Sequence, residues 1–498
     1  MAARRLMVQG TASHVGKSVL TAGLCRLYHR RGFRVAPFKA QNMSNNSFVT
    51  PDGKEIGRAQ AVQAAACRVA PRADFNPVLI KPGGETSAQL IVDGEVAGTL
   101  CAGDFGLIRR KYWDNIQAAF SRLDEEFDLI VLEGAGSPAE VNLRECDVVN
   151  MAMAQHADAR VLLVGDIDRG GVFASLVGTW TLLDEADRRL LKAFAINKFR
   201  GDSRLLAEGI DRVIRDTGMQ CAGVLPHWRD LELPEEDSWG WKGHRSRQRD
   251  SPDRIVIGIV DVPAISNATD FEPLAGEADV EVVPLDQTTD RRLDALLFPG
   301  SKKTVQALGF VRANGFDRLA HRVLDEGGTV GGICAGYQLL GRIISDPDHV
   351  ESDEVRVAGL GLLPVETVFA ATKVVQAVSG RHVKSGLPLS GYQVRMGRTS
   401  DSDTLPAFLE IYDDNTLKIL NDGISSTGGH VFGTYLHGLF DSAPFRRWWV
   451  NELRAARGWA PIPETRSLTL DARLDQWADF IEEHVSMTVI DSLVDGHD

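Results

Sequence analysis

One stretch near the N-terminus has the residue types and spacing of a phosphate-binding loop. Gly10 and Gly16 enclose five residues before Lys17 and Ser18, one more than in the common loop G-x-x-x-x-G-K-[ST]. In such loops backbone N–H groups bind phosphate oxygens, the lysine reaches the outer phosphates, and the serine hydroxyl is a Mg²⁺ ligand. We predict that these four residues and Thr11 bind ATP. A tight turn with an incidental Gly-Lys-Ser is the alternative, which the surrounding strand and helix patterns disfavour.

Acidic residues follow two further apolar runs of the first half. Glu133 ends "FDLIVLE", and Asp166 and Asp168 end "VLLVGDID". Carboxylates at the ends of parallel strands meet at the edge of the sheet where ligands bind, and Mg²⁺ prefers oxygen ligands. We predict that these three residues, with Ser18, hold Mg²⁺. The alternative for each is a helix cap or a turn.

Two more polar stretches lie where strands are predicted to end. Asn197 and Lys198 in "INKF" are predicted to contribute to ATP binding, because a side-chain amide can hydrogen-bond to a purine edge. Lys39, Gln41 and Asn42 in "PFKAQNMSNN" are predicted to bind a substrate that carries several carboxylates and amides. An ordinary solvated loop has a similar composition, so this stretch alone decides little.

A second kind of chemistry is indicated near position 334. Cys334 lies in a G-x-C-x-G arrangement between a predicted strand and a predicted helix, as in a nucleophile elbow, and a thiolate there is stabilised for attack. His437, after a later strand, is the predicted general base. Backbone N–H groups of Gly300 and Ser301 are predicted to form an oxyanion hole. Most lone cysteines are inert, and we expect that of the other five cysteines.

The elements that position these residues form an α/β pattern. Apolar strands alternate with helical patterns, which predicts parallel sheets with crossover helices. A polar, proline-bearing stretch without periodicity predicts a linker at 231–253. We expect one domain at 1–230, a second at 254–447, and a C-terminal helical extension at 448–498, where apolar residues recur at helical spacing.

Composition restricts the classes of function. The chain has 498 residues, 44% hydrophobic and 25% charged, which is typical of a globular protein of two to four domains. Its formal charge of −13 argues against nucleic-acid binding through a broad basic face. Six cysteines without a C-x-x-C pair predict reduced thiols in a cytoplasmic protein. No apolar run suggests a signal peptide or a membrane span.

Together these motifs resemble one enzyme family. The second half resembles the class I glutamine amidotransferases, but Leu439 stands where a triad Glu is expected two residues after His437. That absence is typical of the cobyric acid and cobyrinic acid diamide synthase family, in which cysteine and histidine suffice. The first half is similar to the same family in "GTASHVGKS", "GRAQ", "LEGAGSPAEVNL" and "DIDRGGVFASLVGT". Its loop also resembles that of the dethiobiotin synthetase group.

The resemblance implies a P-loop-type synthetase domain with a parallel sheet, followed by a class I glutamine amidotransferase domain. It implies amidation of the b, d, e and g carboxylates of adenosylcobyrinic acid a,c-diamide, with ATP, Mg²⁺ and glutamine. The block "FKAQNM" favours this activity over the alternative, cobyrinic acid a,c-diamide synthase. A P-loop switch ATPase with an inactive amidotransferase-like domain is a third reading. The order of amidations, the ammonia route and the oligomeric state, including a homo-oligomer, stay open.

Overall fold

A computed structural model of the chain describes residues 3–83, 87–101, 104–228, 254–400, 404–413, 418–464 and 468–496. Within them the chain forms two α/β halves, which confirms the predicted fold class. The predicted linker 231–253 lies outside the described residues. Among the described helices, none combines the length and the hydropathy that crossing a membrane requires.

The first half is built on a parallel sheet whose strands are buried. Its strands, with those of its smaller sheets, are β1 (Arg4–Gly10), β2 (Val35–Phe38), β3 (Gln41–Met43), β4 (Ser47–Val49), β5 (Glu55–Gly57), β6 (Val78–Pro82), β7 (Ser87–Val92), β8 (Glu95–Cys101), β9 (Leu129–Glu133), β10 (Arg160–Asp166), β11 (Leu191–Phe199) and β12 (Gln220–Pro226). The parallel sheet has the order β12-β11-β10-β1-β9-β2. Strands β9 and β10 therefore flank β1 and the loop that follows it.

Residues 41–101 hold structure that the sequence did not predict. A second sheet has the order β3-β6-β7-β8, and a separate hairpin pairs β4 with β5. Hydrophobic periodicity does not reveal these strands, because several of them have only three residues and are too short to show an alternating pattern. The hairpin faces the second half of the chain, where it contacts the active-site region described below.

The second half contains a larger, mixed sheet. Its strands are β13 (Ile255–Val260), β14 (Ile265–Ser266), β15 (Val280–Leu285), β16 (Ala295–Phe298), β17 (Gly300–Ser301), β18 (Thr329–Ile333), β19 (Ile343–Ser345), β20 (Arg356–Ala358), β21 (Glu366–His382), β22 (Pro388–Thr399), β23 (Ala407–Asp413), β24 (Lys418–Ser425) and β25 (Val431–Thr434). The parallel part has the order β15-β13-β16-β18-β25, and the sequence predicted a parallel sheet without its strand order. It continues through antiparallel strands that the sequence did not predict.

The helices cover the faces of both sheets. In the first half and then the second they are α1 (Lys17–Arg30), α2 (Arg58–Ala66), α3 (Phe105–Glu126), α4 (Met151–Ala157), α5 (Val172–Leu182), α6 (Glu185–Arg188), α7 (Ala207–Thr217), α8 (Glu272–Ala275), α9 (Thr304–Ala313), α10 (Phe316–Asp325), α11 (Ala335–Leu340), α12 (Ala443–Ala456), α13 (Leu470–His484) and α14 (Met487–Asp495). Short 3₁₀ helices include Ala268–Phe271, which matters for the second site.

The C-terminal segment is shared between the two halves. Helix α12 packs into the core of the second half through Phe445 and Trp449. Helices α13 and α14 instead return to the first half, where they belong to the core that contains α1. The single helix predicted for this tail is two helices, because at Val485 the chain leaves the helix to pair with Gly223 of β12.

Trp477 attaches α13 to α1. Its side chain is 4% exposed, and its Nε1 donates a hydrogen bond to the Val19 carbonyl oxygen at 2.7 Å. Gly23 makes this close approach feasible, since a Cβ there would lie 2.1 Å from Ile481 Cδ1. Helix α13 is therefore part of the core of the first half.

We expect Trp477→Ala to lower the free energy of unfolding of the first half by about 3–5 kcal/mol, because a buried aromatic side chain is removed and a cavity remains. Leu470→Ala, on the same helix but 36% exposed in the parent side chain, is the matched control and should cost under about 0.5 kcal/mol. Urea unfolding followed by far-UV circular dichroism measures both. Equal effects of the two substitutions would contradict the assigned packing.

Candidate active sites

The predicted phosphate loop connects β1 to α1, and glycines allow its backbone conformation. Gly16 has φ +99°, and a Cβ there would lie 2.3 Å from Asn197 Nδ2, so only glycine fits. A Cβ at Gly10 would lie 2.5 Å from Val15 Cγ2. Residues 12–14 are exposed at the tip of the loop. The extra residue is therefore accommodated without loss of the strand-loop-helix geometry that phosphate binding needs.

Lys17 begins α1, and its amino group lies at the loop. Its Nζ donates hydrogen bonds to the carbonyl oxygens of Ala12 and Gly136, each at 3.0 Å. The ammonium group therefore lies between the loop and the segment that follows β9. This placement agrees with the predicted role of Lys17.

Asn197 and Lys198, near the end of β11, support the loop through hydrogen bonds. Asn197 Nδ2 donates to the Val15 carbonyl oxygen at 2.8 Å, and Lys198 Nζ donates to the His14 carbonyl oxygen at 2.6 Å. Lys198 also pairs with Asp166 at 2.9 Å. Both side chains hold the loop backbone, and a contact of Asn197 with a purine stays a prediction.

Glu133 is the buried centre of the first site. Its Oε1 accepts hydrogen bonds from Ser18 Oγ at 2.6 Å and Lys39 Nζ at 2.9 Å, and its Oε2 accepts from Gln63 Nε2 at 2.5 Å. Glu133 is 1% exposed. The structure therefore brings together Ser18 and Glu133, as the sequence predicts, and adds Gln63, which the sequence did not single out.

The oxygen atoms of Ser18 and Glu133 suit Mg²⁺. Among the described residues, no group of three His, Cys, Asp or Glu side chains gathers for a metal ion. A Mg²⁺ ion at this loop would therefore be held by Ser18, Glu133 and phosphate oxygens, a ligand set that this ion often uses. Asp166 forms an ion pair with Lys198. Asp168 forms an ion pair with Arg200, and both of these side chains are nearly half exposed.

The predicted substrate residues divide between two environments. Lys39 is 2% exposed and lies in the phosphate site through its contact with Glu133. Asn42 is 2% exposed and donates to Gln60 Oε1 of α2 at 2.9 Å. Gln41 is half-buried in β3. Direct substrate contacts of Gln41 and Asn42 stay a prediction.

Cys334 occupies the sharp turn that the sequence predicts. It lies between β18 and α11 with φ 54° and ψ −110°, a strained conformation for a residue with a side chain. A Cβ at Gly336 would lie 1.9 Å from the Phe298 carbonyl oxygen, so the neighbouring glycine is required by space. Fold and sequence thus combine to present the thiol at the edge of the sheet.

His437 lies beside Cys334, and a carboxylate orients it. Its Nδ1 is 2.7 Å from Asp270 Oδ2, while Asp270 Oδ1 accepts a hydrogen bond from the Gly438 N–H at 2.9 Å. The expectation that cysteine and histidine stand alone is therefore incomplete. The acid comes from the 3₁₀ helix Ala268–Phe271 rather than from position 439, because orienting an imidazole needs a carboxylate at Nδ1, whatever its place in the chain.

The surroundings of His437 favour its protonated form. Burial alone lowers the pKa of His437, but Asp270 and the Cys334 thiolate raise that pKa to about 10. Tyr392 stacks on the imidazole with ring centroids 5.3 Å apart. At neutral pH His437 is therefore held as an imidazolium beside the Cys334 sulfur, and a neighbouring cation of this kind favours nucleophilic attack by a cysteine.

Gly300 and Ser301 form β17, next to the catalytic pair. A Cβ at Gly300 would lie 3.5 Å from His437 Cε1 and 3.7 Å from Cys334 Cβ. Ser301 Oγ donates to the Pro263 carbonyl oxygen at 2.8 Å, which fixes the turn. The position agrees with the predicted oxyanion hole, whose N–H donors stay a prediction.

The first half completes the surroundings of His437. Segment 45–48 contacts the second half: Ser47 N–H donates to Asn267 Oδ1 at 2.9 Å, and Phe48 packs on Tyr392 with ring centroids 5.6 Å apart. Asn267 Nδ2 in turn lies 3.3 Å from His437 Nε2. The two halves that carry the predicted sites are therefore in contact beside His437.

Three lysines, here called the interface lysines, lie at this contact: Lys81, which is buried, and Lys302 and Lys373, which are half-buried. Lys81 and Lys373 each lie 2.5 Å from a carboxylate oxygen of Glu55. Lys302 and Lys373 donate to Gln89 Oε1 at 3.0 and 2.9 Å. Burial lowers the pKa of Lys302 well below its usual range, despite the nearby Glu55 and Cys334. The sequence did not single out this cluster, since its members come from both halves.

Family models match both halves of the chain. Residues 6–238 match the CobQ/CobB/MinD/ParA nucleotide binding domain. Residues 256–445 match the CobB/CobQ-like glutamine amidotransferase domain. Each match contains one of the two sites, so the order of a nucleotide site followed by a glutaminase site agrees with the geometry above.

Curated relatives extend the similarity along the whole chain. A cobyric acid synthase of Clostridium acetobutylicum is 41% identical over 495 residues, covering 98% of each chain. A cobyric acid synthase of Chloroflexus aggregans is 44% identical over 498 residues, covering 99% of each chain. With identity at this level from end to end and both reaction centres in place, the chain belongs to the cobyric acid synthase family.

Proposed function

We propose that this chain amidates the b, d, e and g carboxylates of adenosylcobyrinic acid a,c-diamide, with ATP for activation and glutamine as nitrogen donor. The observation that carries the proposal is the presence in one chain of the Cys334–His437–Asp270 site and the Ser18–Glu133 site, on halves that contact each other through Ser47 and Asn267. The family membership supplies the corrinoid substrate. The alternative substrate is cobyrinic acid, the acceptor of the related a,c-diamide synthases.

The glutaminase step follows from the second site. Cys334 Sγ attacks the glutamine carboxamide carbon, and the His437 imidazolium gives its proton to the departing nitrogen, so that a thioester and neutral ammonia form. Asp270 holds the imidazole in the orientation that this transfer needs. Water then adds to the thioester carbon, its proton passing to His437, and the C–S bond breaks to release glutamate.

The synthetase step follows from the first site. Bound ATP would transfer its terminal phosphoryl group to a substrate carboxylate oxygen as ADP leaves, which turns a poorly reactive carboxylate into an acyl phosphate, and Mg²⁺ would neutralise charge on the phosphates. Lys17 and Lys39 place positive charge where phosphate and carboxylate oxygens meet, and Ser18 and Glu133 provide oxygen ligands for the metal. Ammonia displaces phosphate from the activated carbon to give the amide.

Incubation of the full chain with Mg·ATP, glutamine and the corrinoid tests the assignment. With the a,c-diamide we expect products carrying one to four new amides by mass spectrometry. Preferential amidation of cobyrinic acid would assign the chain to the diamide synthases, and absence of product with either acceptor would reject the proposal. A switch ATPase would hydrolyse ATP but release no glutamate from glutamine.

Cys334→Ala should abolish amidation with glutamine, because the nucleophile is lost, while the phosphate loop is untouched. Excess ammonium chloride at mildly alkaline pH should restore ATP-dependent amidation, and His437→Ala should behave likewise. Product formation from each nitrogen source is the measurement. Normal use of glutamine by Cys334→Ala would show that the thiol is not the nucleophile.

Asp270→Asn should lower glutaminase turnover by roughly a hundredfold or more, because the imidazole loses the carboxylate that orients it and stabilises its protonated form. The charge of Asp270 raises the pKa of His437, so removing that charge shifts the alkaline limb of the pH profile to lower pH. Glutamate release measured from pH 6 to 10.5 detects both effects. The exposed Asp441→Asn is the control, and an equal loss there would contradict the role of Asp270.

Lys17→Ala should lower amidation by roughly a thousandfold with either nitrogen source, because charge on the transferring phosphate loses its partner.

Glu133→Gln should raise the Mg²⁺ concentration needed for half-maximal activity, since a ligand charge is removed. Mg²⁺ titrations of ammonium-supported amidation measure this. An unchanged titration for Glu133→Gln, with a shifted one for Asp166→Asn, would move the metal role to Asp166.

A further inference from the structure

The interface lysines carry more positive charge than their partners balance. Lys81 and Lys373 each lie 2.5 Å from an oxygen of Glu55, which is 1% exposed. Lys302 has no carboxylate at ion-pair distance among the described residues, and its Nζ donates to the neutral Gln89 Oε1 at 3.0 Å. In the described part of the chain, three ammonium groups thus have one carboxylate in direct contact.

The same ammonium groups keep N–H donors that the protein does not use. A lysine ammonium has three N–H donors. Within the described ranges Lys81 and Lys373 each use two of them, and Lys302 uses one. Lys302 is therefore the member of the cluster with the most donors to offer, and a group that binds it must be an acceptor.

One further acid lies in the electrostatic range of Lys302 but is engaged elsewhere. Glu351 accepts hydrogen bonds from the Thr304 N–H and from Thr304 Oγ, the latter at 3.2 Å. Burial raises the pKa of Glu351 to about 7, so this carboxyl is partly protonated at neutral pH. Burial, Lys81 and Lys373 lower the pKa of Lys302 well below its usual range. The charge on Lys302 is therefore poorly compensated by the chain itself.

The cluster borders the glutaminase centre. Lys302 is the second residue after Gly300, where a Cβ would lie 3.7 Å from Cys334 Cβ. Its backbone N–H donates to the Ala264 carbonyl oxygen at 3.0 Å, which fixes the start of the side chain beside that centre. Cys334 acts on Lys302 and Lys373 in the direction that raises the pKa of each, against the effect of burial. A substrate bound at Cys334 therefore lies within electrostatic reach of these ammonium groups.

We propose that the interface lysines, with Lys302 as the main donor, bind the α-carboxylate of the glutamine whose carboxamide faces Cys334, an inference that rests on the proposed function. The carboxamide carbon of glutamine and its α-carboxylate carbon are four covalent bonds, or about 5 Å, apart, so the two ends need neighbouring sites. A carboxylate supplies the acceptors and the negative charge that the cluster lacks. The phosphates of ATP, by contrast, have the Lys17 loop.

Lys302 can be replaced without leaving a buried partner unpaired. Gln89 Oε1 keeps the hydrogen bond from Lys373 at 2.9 Å, and Glu55 keeps both of its ammonium partners. Exchange of a charge in an interior for an apolar side chain of similar volume is often neutral for stability when no partner is orphaned. A loss of function in Lys302→Met therefore reports on the contact with the ligand.

Glutamine and L-glutaminamide, in which a neutral amide replaces the α-carboxylate, test this contact in the full chain. The parent, Lys302→Met, Lys302→Arg and the control Lys384→Met are compared by ammonia release with Mg·ATP and without the corrinoid. Lys384 is a suitable control because its side chain is 59% exposed and pairs with Glu452 on the surface of the same half. Thermal unfolding of each variant checks that the fold is kept.

We expect Lys302→Met to raise the KM for glutamine by about tenfold or more, with kcat within about threefold of the parent, because charge-assisted hydrogen bonds to the substrate are lost. The parent should prefer glutamine over glutaminamide by about tenfold or more in kcat/KM for the same reason. Lys302→Met should lose most of this preference. Lys302→Arg, which keeps the charge, and Lys384→Met should retain it.

An equal fall in kcat/KM for both amides, or a fall in kcat with an unchanged KM, would assign Lys302 to the cysteine instead and overturn the carboxylate site. A raised KM for the corrinoid in ammonium-supported amidation by Lys302→Met, with the KM for glutamine unchanged, would overturn it as well. A parent chain that releases no ammonia from glutamine would reject the proposed function itself, and this inference with it.

Discussion

Contact between segment 45–48 and Asn267 is the interaction on which the arrangement of the glutaminase site depends. Ser47 N–H holds the Asn267 side chain, Asn46 Oδ1 accepts from the Ala268 N–H at 3.2 Å, and the next turn carries Asp270. Because the glutaminase imidazole is oriented by Asp270, a segment of the first half supports the carboxylate that orients it. The geometry of the glutaminase site is therefore completed by this interface.

The same segment connects this interface to the phosphate site. Lys39, at the end of β2, pairs with Glu133, and the chain then passes through β3 to Asn46 and Ser47. One short stretch of chain therefore joins the phosphate site to the contact between the halves.

Buried carboxylates organise the charges of this interface. Glu133 is paired with Lys39, Glu55 with Lys81 and Lys373, and Asp270 with His437. Removing either member of such a pair leaves a charge in a low dielectric, so these pairs are more sensitive to substitution than exposed pairs such as Asp168–Arg200. Burial of His437 lowers its pKa, and the nearby Asp270 and Cys334 outweigh that effect and raise the pKa to about 10.

Local chemistry explains what the sequence by itself determined. Patterns of residues close together in the chain predict the phosphate loop, the Cys334 turn, His437 and the strands before them. The family resemblance followed from these local patterns. Asp270, Gln63 and the interface lysines depend on contacts between segments far apart, such as the 167 positions between Asp270 and His437. Asn197 shows the same limit, since its amide supports the loop backbone. Only the tertiary structure decided these contacts, because packing of the two halves, rather than any local periodicity, brings the partners together and sets the burial that gives their charges effect.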